Sequence, residues 1–480
     1  MNKLFFFSKY VDLFFMYYLK FIGREGVMKR ILSLSARYTF FSLLGLCIPI
    51  FSGNELIVKK PLVLQDGFVY CADNIALQFK GYFCLEGMCD TRQFFSYNLD
   101  HYVVFPLPVK CDARCQDIND TAQLQMLAYK IYVTSMLHGP KIWGAQSYGE
   151  VKFNFVGTGI DPIISKLRLG YIKLSWEDKT KLLIGMYYNP ISLDEIFPDT
   201  VTDGFGIGYD PFDYSPQVRL KHKVDKFEFT LATVKIYWFK GARWSAIPDF
   251  HIQANIHAGK QLLGVGAFYR SEVPRLETDK GYKTKQQLNC LYPFVFTKLK
   301  FKMFKEPFLL KARLTYCENG APFDIIGAYA VKWRNPQTDE RVYVNMRALA
   351  FWSEFLYKGS KKVEPAFLVG YTKNLGAPCR IQKYYVEEQE GNNRVEHKIV
   401  SLLDVPGLTN ASYMLLVAPR LKVTFGPLRL GFEIEYTRAA FARSYDCPGW
   451  QHDFDSRGRV IRAKPVGNVR FYIQTRYNLF

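Results

Sequence analysis

The chain has 480 residues, including 32 tyrosines and 40 phenylalanines, and its formal net charge is +19. A mean hydropathy of −0.08 is too low for a bundle of membrane helices, but it does not exclude a membrane barrel, whose strands alternate apolar with polar residues. The positive charge does not indicate binding to nucleic acid, because lysine and arginine recur at every second residue of short segments instead of gathering in one patch.

Residues 1–52 are predicted to be a signal or targeting segment. A basic stretch at 28–37 precedes an apolar stretch at 38–51, and Ser52 follows as part of a small-residue cleavage point. Charges interrupt the sequence before residue 28, so Met28 is a candidate for the true start. A helical anchor at the N-terminus is the alternative. We expect export, a periplasmic segment at 53–75 and a transmembrane domain at 76–480.

The region from residue 76 onward is built of segments in which apolar and polar residues alternate with a period of two. This pattern is typical of strands with one face in lipid and one in water, and it predicts an all-β, transmembrane, antiparallel β-barrel of about 16 strands. The predicted strands are 76–86, 124–135, 149–156, 166–176, 181–189, 217–223, 226–236, 251–257, 261–270, 296–304, 309–316, 342–357, 363–372, 414–424, 428–438 and 468–480.

Short and long connections alternate along these strands. Turns rich in Gly, Pro and charged residues, such as those near 177–179 and 426–427, are predicted to be periplasmic, and the long loops to be extracellular. The segment 325–331 resembles a strand in composition. It is assigned to an external loop, because a seventeenth strand would reverse the direction of the last one.

The pleat assigns the basic residues of the strands to the interior, since charge facing lipid costs about 2–4 kcal/mol at the midplane. The alternative to a role in selectivity is that these basic residues only keep the lumen polar and hydrated. The predicted pore-lining residues are Arg219, Lys221, Lys298, Lys300, Lys302, Lys311, Arg313, Arg420, Lys422, Arg429, Arg470 and Arg476. Glu433 and Glu435 are acidic exceptions on the same face.

The third external loop, near 190–216, is acidic and contains no lysine or arginine. By analogy with general porins, it is predicted to fold into the barrel and to set its carboxylates across from the basic wall. A solvated external loop is the alternative. Its acidic residues are Asp194, Glu195, Asp199, Asp203, Asp210 and Asp213.

Nine cysteines follow the predicted targeting segment, and most of them lie in predicted loops. Loop disulfides with one remaining thiol are the first interpretation. The alternative is a metal site formed by Cys84, Cys89, Cys111 and Cys115, although neither pair has the spacing of a zinc knuckle. We predict no metal and no cofactor.

Several short motifs resemble the DcaP-like and phosphate-selective families of bacterial outer-membrane porins. The motifs are GEVKFNF at 149–155, KLRLGY at 166–171, LLIG at 182–185, PQVR at 216–219, GYTKNLG at 370–376, PR at 419–420, EYTR at 435–438 and VR at 469–470. The resemblance implies a sixteen-stranded, trimeric porin of the outer membrane that passes small anionic solutes. Its last strand, ending in Phe480, would be recognised by the barrel-assembly machinery. Arg476 and Asn478 replace the apolar residues usual before that phenylalanine.

The predicted function is passive diffusion through a water-filled barrel that spans outer-membrane lipid. Replacing Lys298, Lys300 and Lys302 with Glu should then reduce or reverse its preference for anions. The alternative is a structural or adhesive surface protein without an open pore. We do not expect an enzyme, because His251 and His257 lie about 20 Å apart at the usual strand rise and no catalytic constellation is found.

Overall fold

The computed structural model describes residues 62–64, 67–72, 75–96, 103–156, 164–202, 204, 206–236, 240–284, 286–390, 393–400, 402–403, 410–443 and 453–479. The predicted targeting segment lies outside the described residues, and so do Asp203, Phe480 and most of the predicted periplasmic segment. The division into these parts therefore stays a prediction.

Sixteen antiparallel strands form a closed barrel, and each overlaps one of the predicted segments, so the predicted fold class is confirmed. The last strand closes the barrel on the first with Arg470 opposite Asp90 and Asn478 opposite Tyr82. The strands are β1 (Ile75–Asp90), β2 (Gln123–Ile142), β3 (Ala145–Val156), β4 (Ile164–Trp176), β5 (Thr180–Tyr188), β6 (Tyr214–Val224), β7 (Phe227–Val234), β8 (Asp249–Ala258), β9 (Gln261–Glu272), β10 (Leu288–Met303), β11 (Glu306–Glu318), β12 (Arg347–Tyr357), β13 (Val363–Gly376), β14 (Ala411–Phe425), β15 (Leu428–Phe441) and β16 (Lys464–Asn478).

The outer face of the barrel is apolar. Leu124 is 74% exposed and Ile252 is 60% exposed, whereas their strand neighbours on the other face point inward. Large apolar side chains in water cost about 25 cal/mol per Å² of exposed area. A surface of this kind is stable where hydrocarbon covers it, which is why the alternation in the sequence gives a transmembrane barrel.

Connections of two to five residues join seven strand pairs at one end of the barrel. Gly259 and Gly426 occupy two of these turns with φ of 61° and 56°, a conformation that tight hairpins require and that glycine adopts without strain. The longer connections lie at the other end. By the usual arrangement of such barrels, the short turns are periplasmic.

Some strands extend further than the sequence indicated. β10 begins at Leu288 and not near residue 296, and β2 continues to Ile142. The predicted strand at 342–357 is divided, because the backbone of Met346 bonds to Ala328 and Asn319 in an external loop. Only Arg347–Tyr357 belongs to the barrel.

Three small sheets are separate from the barrel sheet in the described part of the chain. Tyr329–Arg334 pairs with Arg341–Asn345 and with Leu402–Leu403, so the segment assigned to an external loop is indeed outside the barrel. The remaining short pairs are Phe94–Phe95 with Phe105–Pro106 and Lys383–Glu390 with Asn393–Val400. Leu62–Leu64 pairs with Gly67–Ala72, which in turn pairs with the start of β1.

Helical structure is scarce in the described part of the chain. It consists of a five-residue α-helix at Lys240–Trp244 and two 3₁₀ turns, at Pro190–Ser192 and Ala321–Phe323. No helix among these residues is long and apolar enough to cross a membrane.

External loops are joined by a buried carboxylate. Asp339 accepts a hydrogen bond of 2.6 Å from Nη1 of Arg275, which lies in the loop after β9, and further bonds from Arg334 and Arg341. Burial alone would raise the pKa of Asp339, but the hydrogen bonds from these arginines hold that pKa well below its usual range. Asp339 is therefore charged at neutral pH and fastens two loops together.

Among the cysteines whose side chains the structure describes, Cys89, Cys111, Cys115, Cys290, Cys317 and Cys379 form no disulfide. Four cysteines lie on barrel strands. Cys84 of β1 belongs to the predicted strand 76–86, whereas Cys89 of β1, Cys290 of β10 and Cys317 of β11 were predicted to lie in loops. The strand ends were predicted too short, which placed Cys290 and Cys317 in loops. Cys84 is buried and Cys89 is exposed, and no group of three or more metal-ligating side chains occurs among the described residues.

Part of the barrel interior is a dry hydrophobic core. Phe323, from the loop after β11, packs edge-on against Phe268 of β9 and Tyr292 of β10, with ring centroids 5.7 and 5.3 Å apart. Trp352 of β12 and Tyr209 are also fully buried in this core. Loops therefore fill the interior beside β7 to β15, and a water-filled lumen stays a prediction for the rest of the barrel.

Candidate pore constriction

The connection between β5 and β6, residues 189–213, is called the inner loop because it lies inside the barrel. Asn189 caps its first turn by accepting a hydrogen bond of 3.2 Å from the N–H of Ile191. At the base of the loop, Asp213 accepts a hydrogen bond from Ser215 at 2.5 Å.

The loop contacts β5, where Tyr187 donates a hydrogen bond of 2.8 Å to Asp194, and then β6, β10, β11, β12, β14, β15 and β16. Val201 also packs in one cluster with Met88 of β1.

Carboxylates of the inner loop form direct ion pairs with the basic residues of the strands. Asp199 lies 2.7 Å from Nζ of Lys422, and Asp210 lies 2.6 Å from Nη1 of Arg313. Glu195 pairs with Lys221. The remaining pair is Asp194 with Arg219, at 3.5 Å.

These pairs correct the expected arrangement of an acidic loop facing a basic wall across open water. Cations removed from water need a counter-charge close by, because the cost of desolvation is otherwise several kcal/mol. The sequence predicts that the acidic loop and the basic strand residues both lie inside the barrel. Only the distances between them show that their charges neutralise one another.

Lysines of the wall also bind the backbone of the inner loop. Nζ of Lys311 donates to the carbonyl oxygen of Phe197 at 2.6 Å, and Nζ of Lys298 donates to that of Glu195 at 3.1 Å. A loop inside a barrel loses its water, so its carbonyl groups need such partners. The lysines therefore fasten the loop as well as carrying charge.

Acidic residues of the wall bind the N–H groups of the same loop. Oε1 of Glu354 accepts a hydrogen bond of 2.6 Å from the N–H of Asp199. Glu433 accepts one from the N–H of Val201, and Glu435 accepts one of 3.3 Å from the hydroxyl of Thr202. The two glutamates that looked exceptional in the sequence thus hold the middle of the loop.

The predicted basic residues fall into two groups. Those that are buried, mostly beneath the inner loop, are Arg219, Lys311, Arg313, Arg420, Lys422 and Arg470. Those that keep exposed surface on the inner face are Lys221, Lys298, Lys300, Lys302, Arg429 and Arg476. Arg470 pairs with Asp90 at 2.9 Å and Arg420 pairs with Glu354. A pore-lining role stays a prediction for the second group.

The wall formed by β1 to β5 carries lysines and tyrosines that the sequence analysis did not single out. Lys173 of β4 lies opposite Tyr148 of β3, and both Tyr148 and Tyr171 donate hydrogen bonds of 2.8 Å to Oε2 of Glu150. Tyr171 also packs against Tyr187 of β5 at 4.8 Å. Period-two alternation could have identified these residues, since they share a face with the inward-pointing Lys152.

A closed barrel of sixteen strands, with an apolar outer face, charges inside and a loop folded into its interior, has the architecture of bacterial outer-membrane porins. Its apolar belt and closed edges fit that membrane.

Comparison with solved structures gives the same result at the level of fold. The outer membrane channel DcaP of Acinetobacter baumannii matches with a TM-score of 0.58 and 12% identity, over 86% of this chain and 100% of that one. An anion-selective porin from Comamonas acidovorans matches with a TM-score of 0.49 and 6% identity, over 84% and 100%. No family model and no curated protein matches the chain.

Proposed function

We propose that the protein is an outer-membrane porin through which small hydrophilic anions diffuse passively. The observation that carries the proposal is the position of the inner loop, which lies against the wall from β6 to β16. The remaining route lies between this loop and those parts of the wall formed by β1 to β5 that the loop does not contact. The resemblance to DcaP-like porins supports the assignment, because the outer membrane channel DcaP has the same fold.

The charge along that route favours anions. On the loop side, acidic and basic groups cancel in pairs. Inward-facing basic residues that keep exposed surface gather toward the end with short turns, where they would concentrate anions entering the lumen. They are Lys80, Lys173, Lys181, Lys300, Lys302, Arg429 and Arg476.

Assembly partners follow from the resemblance alone. We propose a homotrimer, delivered to outer-membrane lipid by the barrel-assembly machinery through β16. The surface-anchor alternative predicts a barrel that is stable but conducts no ions.

A reversal of charge tests the anionic preference. Replacing Lys173 and Lys181 with Glu, together with Lys300 and Lys302, should lower the chloride-to-potassium permeability ratio roughly tenfold, because it inverts four charges on the route. The ratio is measured from the reversal potential in a salt gradient across a planar bilayer. Lys298 is left unchanged because it holds the backbone of the inner loop.

Lys179→Glu with Lys283→Glu is the control, because both lysines are exposed outside the lumen, in a turn and in an external loop. It should leave the permeability ratio close to that of the parent protein. An unchanged reversal potential in the fourfold variant would contradict the proposed route.

A further inference from the structure

Cations of the barrel interior are held in two ways. Beneath the inner loop they pair with carboxylates, as Lys422 does with Asp199 and Arg313 with Asp210. On the wall of β1 to β5 and on the adjoining β16, several cations lie over tyrosine rings, although Lys130 of β2 pairs with Glu86 at 3.2 Å. Nζ of Lys173 is 4.6 Å from the ring centroid of Tyr148.

The same arrangement recurs beside it. Nζ of Lys152 lies 5.0 Å from the ring centroid of Tyr132, and Cζ of Arg476 lies 3.5 Å from that of Tyr82. Tyr82 and Tyr132 are themselves 4.9 Å apart, so the rings form a continuous surface on neighbouring strands. Three cations are therefore fixed on one side of the lumen by aromatic faces.

The two ways of holding a cation differ in their electrical effect. A carboxylate cancels the charge that it binds. A tyrosine ring is neutral and attracts the cation through its quadrupole, so the ring itself cancels none of the charge. Glu150, which Tyr148 and Tyr171 bind, is a carboxylate near Lys173 and offsets part of the positive charge there. The wall of tyrosines can thus present ordered positive charge to the lumen, whereas the ion pairs beneath the inner loop cancel.

We propose that Tyr148, Tyr132 and Tyr82 are positioning residues for anion passage, which hold Lys173, Lys152 and Arg476 at fixed places along the route. This inference rests on the proposed function and assigns the selectivity to one wall. The permeating class is a small anion that meets these charges one after another.

Tyr148 is the best residue for a test because its own position is fixed. Its hydroxyl donates to Glu150, which Tyr171 also binds, and its ring packs edge-on against His138 at 5.1 Å. Removing the ring therefore removes the support beneath Lys173 while Tyr171 still holds Glu150. No formal charge changes.

Reversal potentials would be compared for Tyr148→Leu, Tyr148→Phe, Lys173→Met and the double variant Tyr148→Leu with Lys173→Met. Tyr148→Leu should lower the chloride-to-potassium ratio roughly twofold, although it changes no charge, and Tyr148→Phe should keep the parent ratio. The double variant should match Lys173→Met alone, because the ring acts through that lysine. Tyr371→Leu, on the lipid face of β13, is the control.

Folding of each variant is checked first by its mobility on a gel with and without heating. If Tyr148→Leu leaves the ratio unchanged, or lowers it equally with and without Lys173, the inference is overturned and the porin assignment stands. If the parent protein passes no ions, the proposed function fails, and the inference fails with it.

Discussion

The ion pair between Asp210 and Arg313 shows what single residues contribute inside the barrel. Both side chains are fully buried, their atoms are 2.6 Å apart, and the guanidinium lies 5.0 Å from the ring centroid of Phe294. A pair of this kind can be replaced as a whole with little loss. Removal of one partner leaves a charge without compensation in a dry environment.

Asp210→Ala should therefore lower the free energy of unfolding by about 3–5 kcal/mol, because Arg313 stays charged and buried. Asp210→Ala combined with Arg313→Met should recover a large part of that loss. Unfolding by denaturant in detergent micelles, followed by tryptophan fluorescence, measures both variants. Equal stability of the single and double variants would show that burial of the charge does not dominate.

At the scale of elements, the inner loop packs closely against β15 at a position where the strand has no side chain. Gly431 lies at this position, and a Cβ atom there would overlap Cγ1 of Val201, a loop residue that is 1% exposed. The loop carbonyl of Val201 also accepts a hydrogen bond of 3.1 Å from Gln474 of β16. Close approach of the loop to the wall thus depends on one missing side chain.

Gly431→Ala should push the middle of the inner loop into the lumen and destabilise the barrel by about 1–3 kcal/mol, because the site is already filled. The single-channel conductance should fall at the same time. Gly87→Ala is the matched control, since a Cβ atom at Gly87 meets nothing within 4 Å. A conductance that is equal in both variants would contradict the seating of the loop.

The elements of the barrel could be predicted from the sequence, but the seat of the inner loop could not. Strands such as β16 are encoded by local sequence, because apolar and polar residues alternate along them with a period of two. All sixteen strands could therefore be predicted. The bond between Val201 and Glu433 joins residues 232 positions apart. No local sequence pattern predicts such a pairing. Nor does any pattern predict that Arg313 pairs with the carboxylate of Asp210, or that Lys173 lies over the ring of Tyr148.

The strand ends were also beyond the reach of periodicity. β10 carries Tyr292 and Phe294 inward, where they pack against loops and not against water. Because apolar residues lie on both faces of β10 before residue 296, they conceal the alternation of apolar and polar residues there. The sequence therefore predicts that the strand begins at 296. The same dry core explains why the interior was expected to be wetter than it is.

At the scale of the whole molecule, the barrel separates two environments. Its outer face is apolar, and its interior holds a dry core on one side and a wall of lysines and tyrosines on the other, along which we propose the route. The account depends on that route being open to water and ions. A surface anchor could share the fold, the outer face and the external sheets without having such a route.

Current through single molecules in a planar lipid bilayer is the most direct test. Purified, folded protein added to one side of the bilayer should give discrete, uniform steps of current in potassium chloride, each remaining open for long periods. The account predicts such steps for the parent protein without any ligand. Insertion of heat-modifiable protein into the bilayer with no steps of current would contradict it.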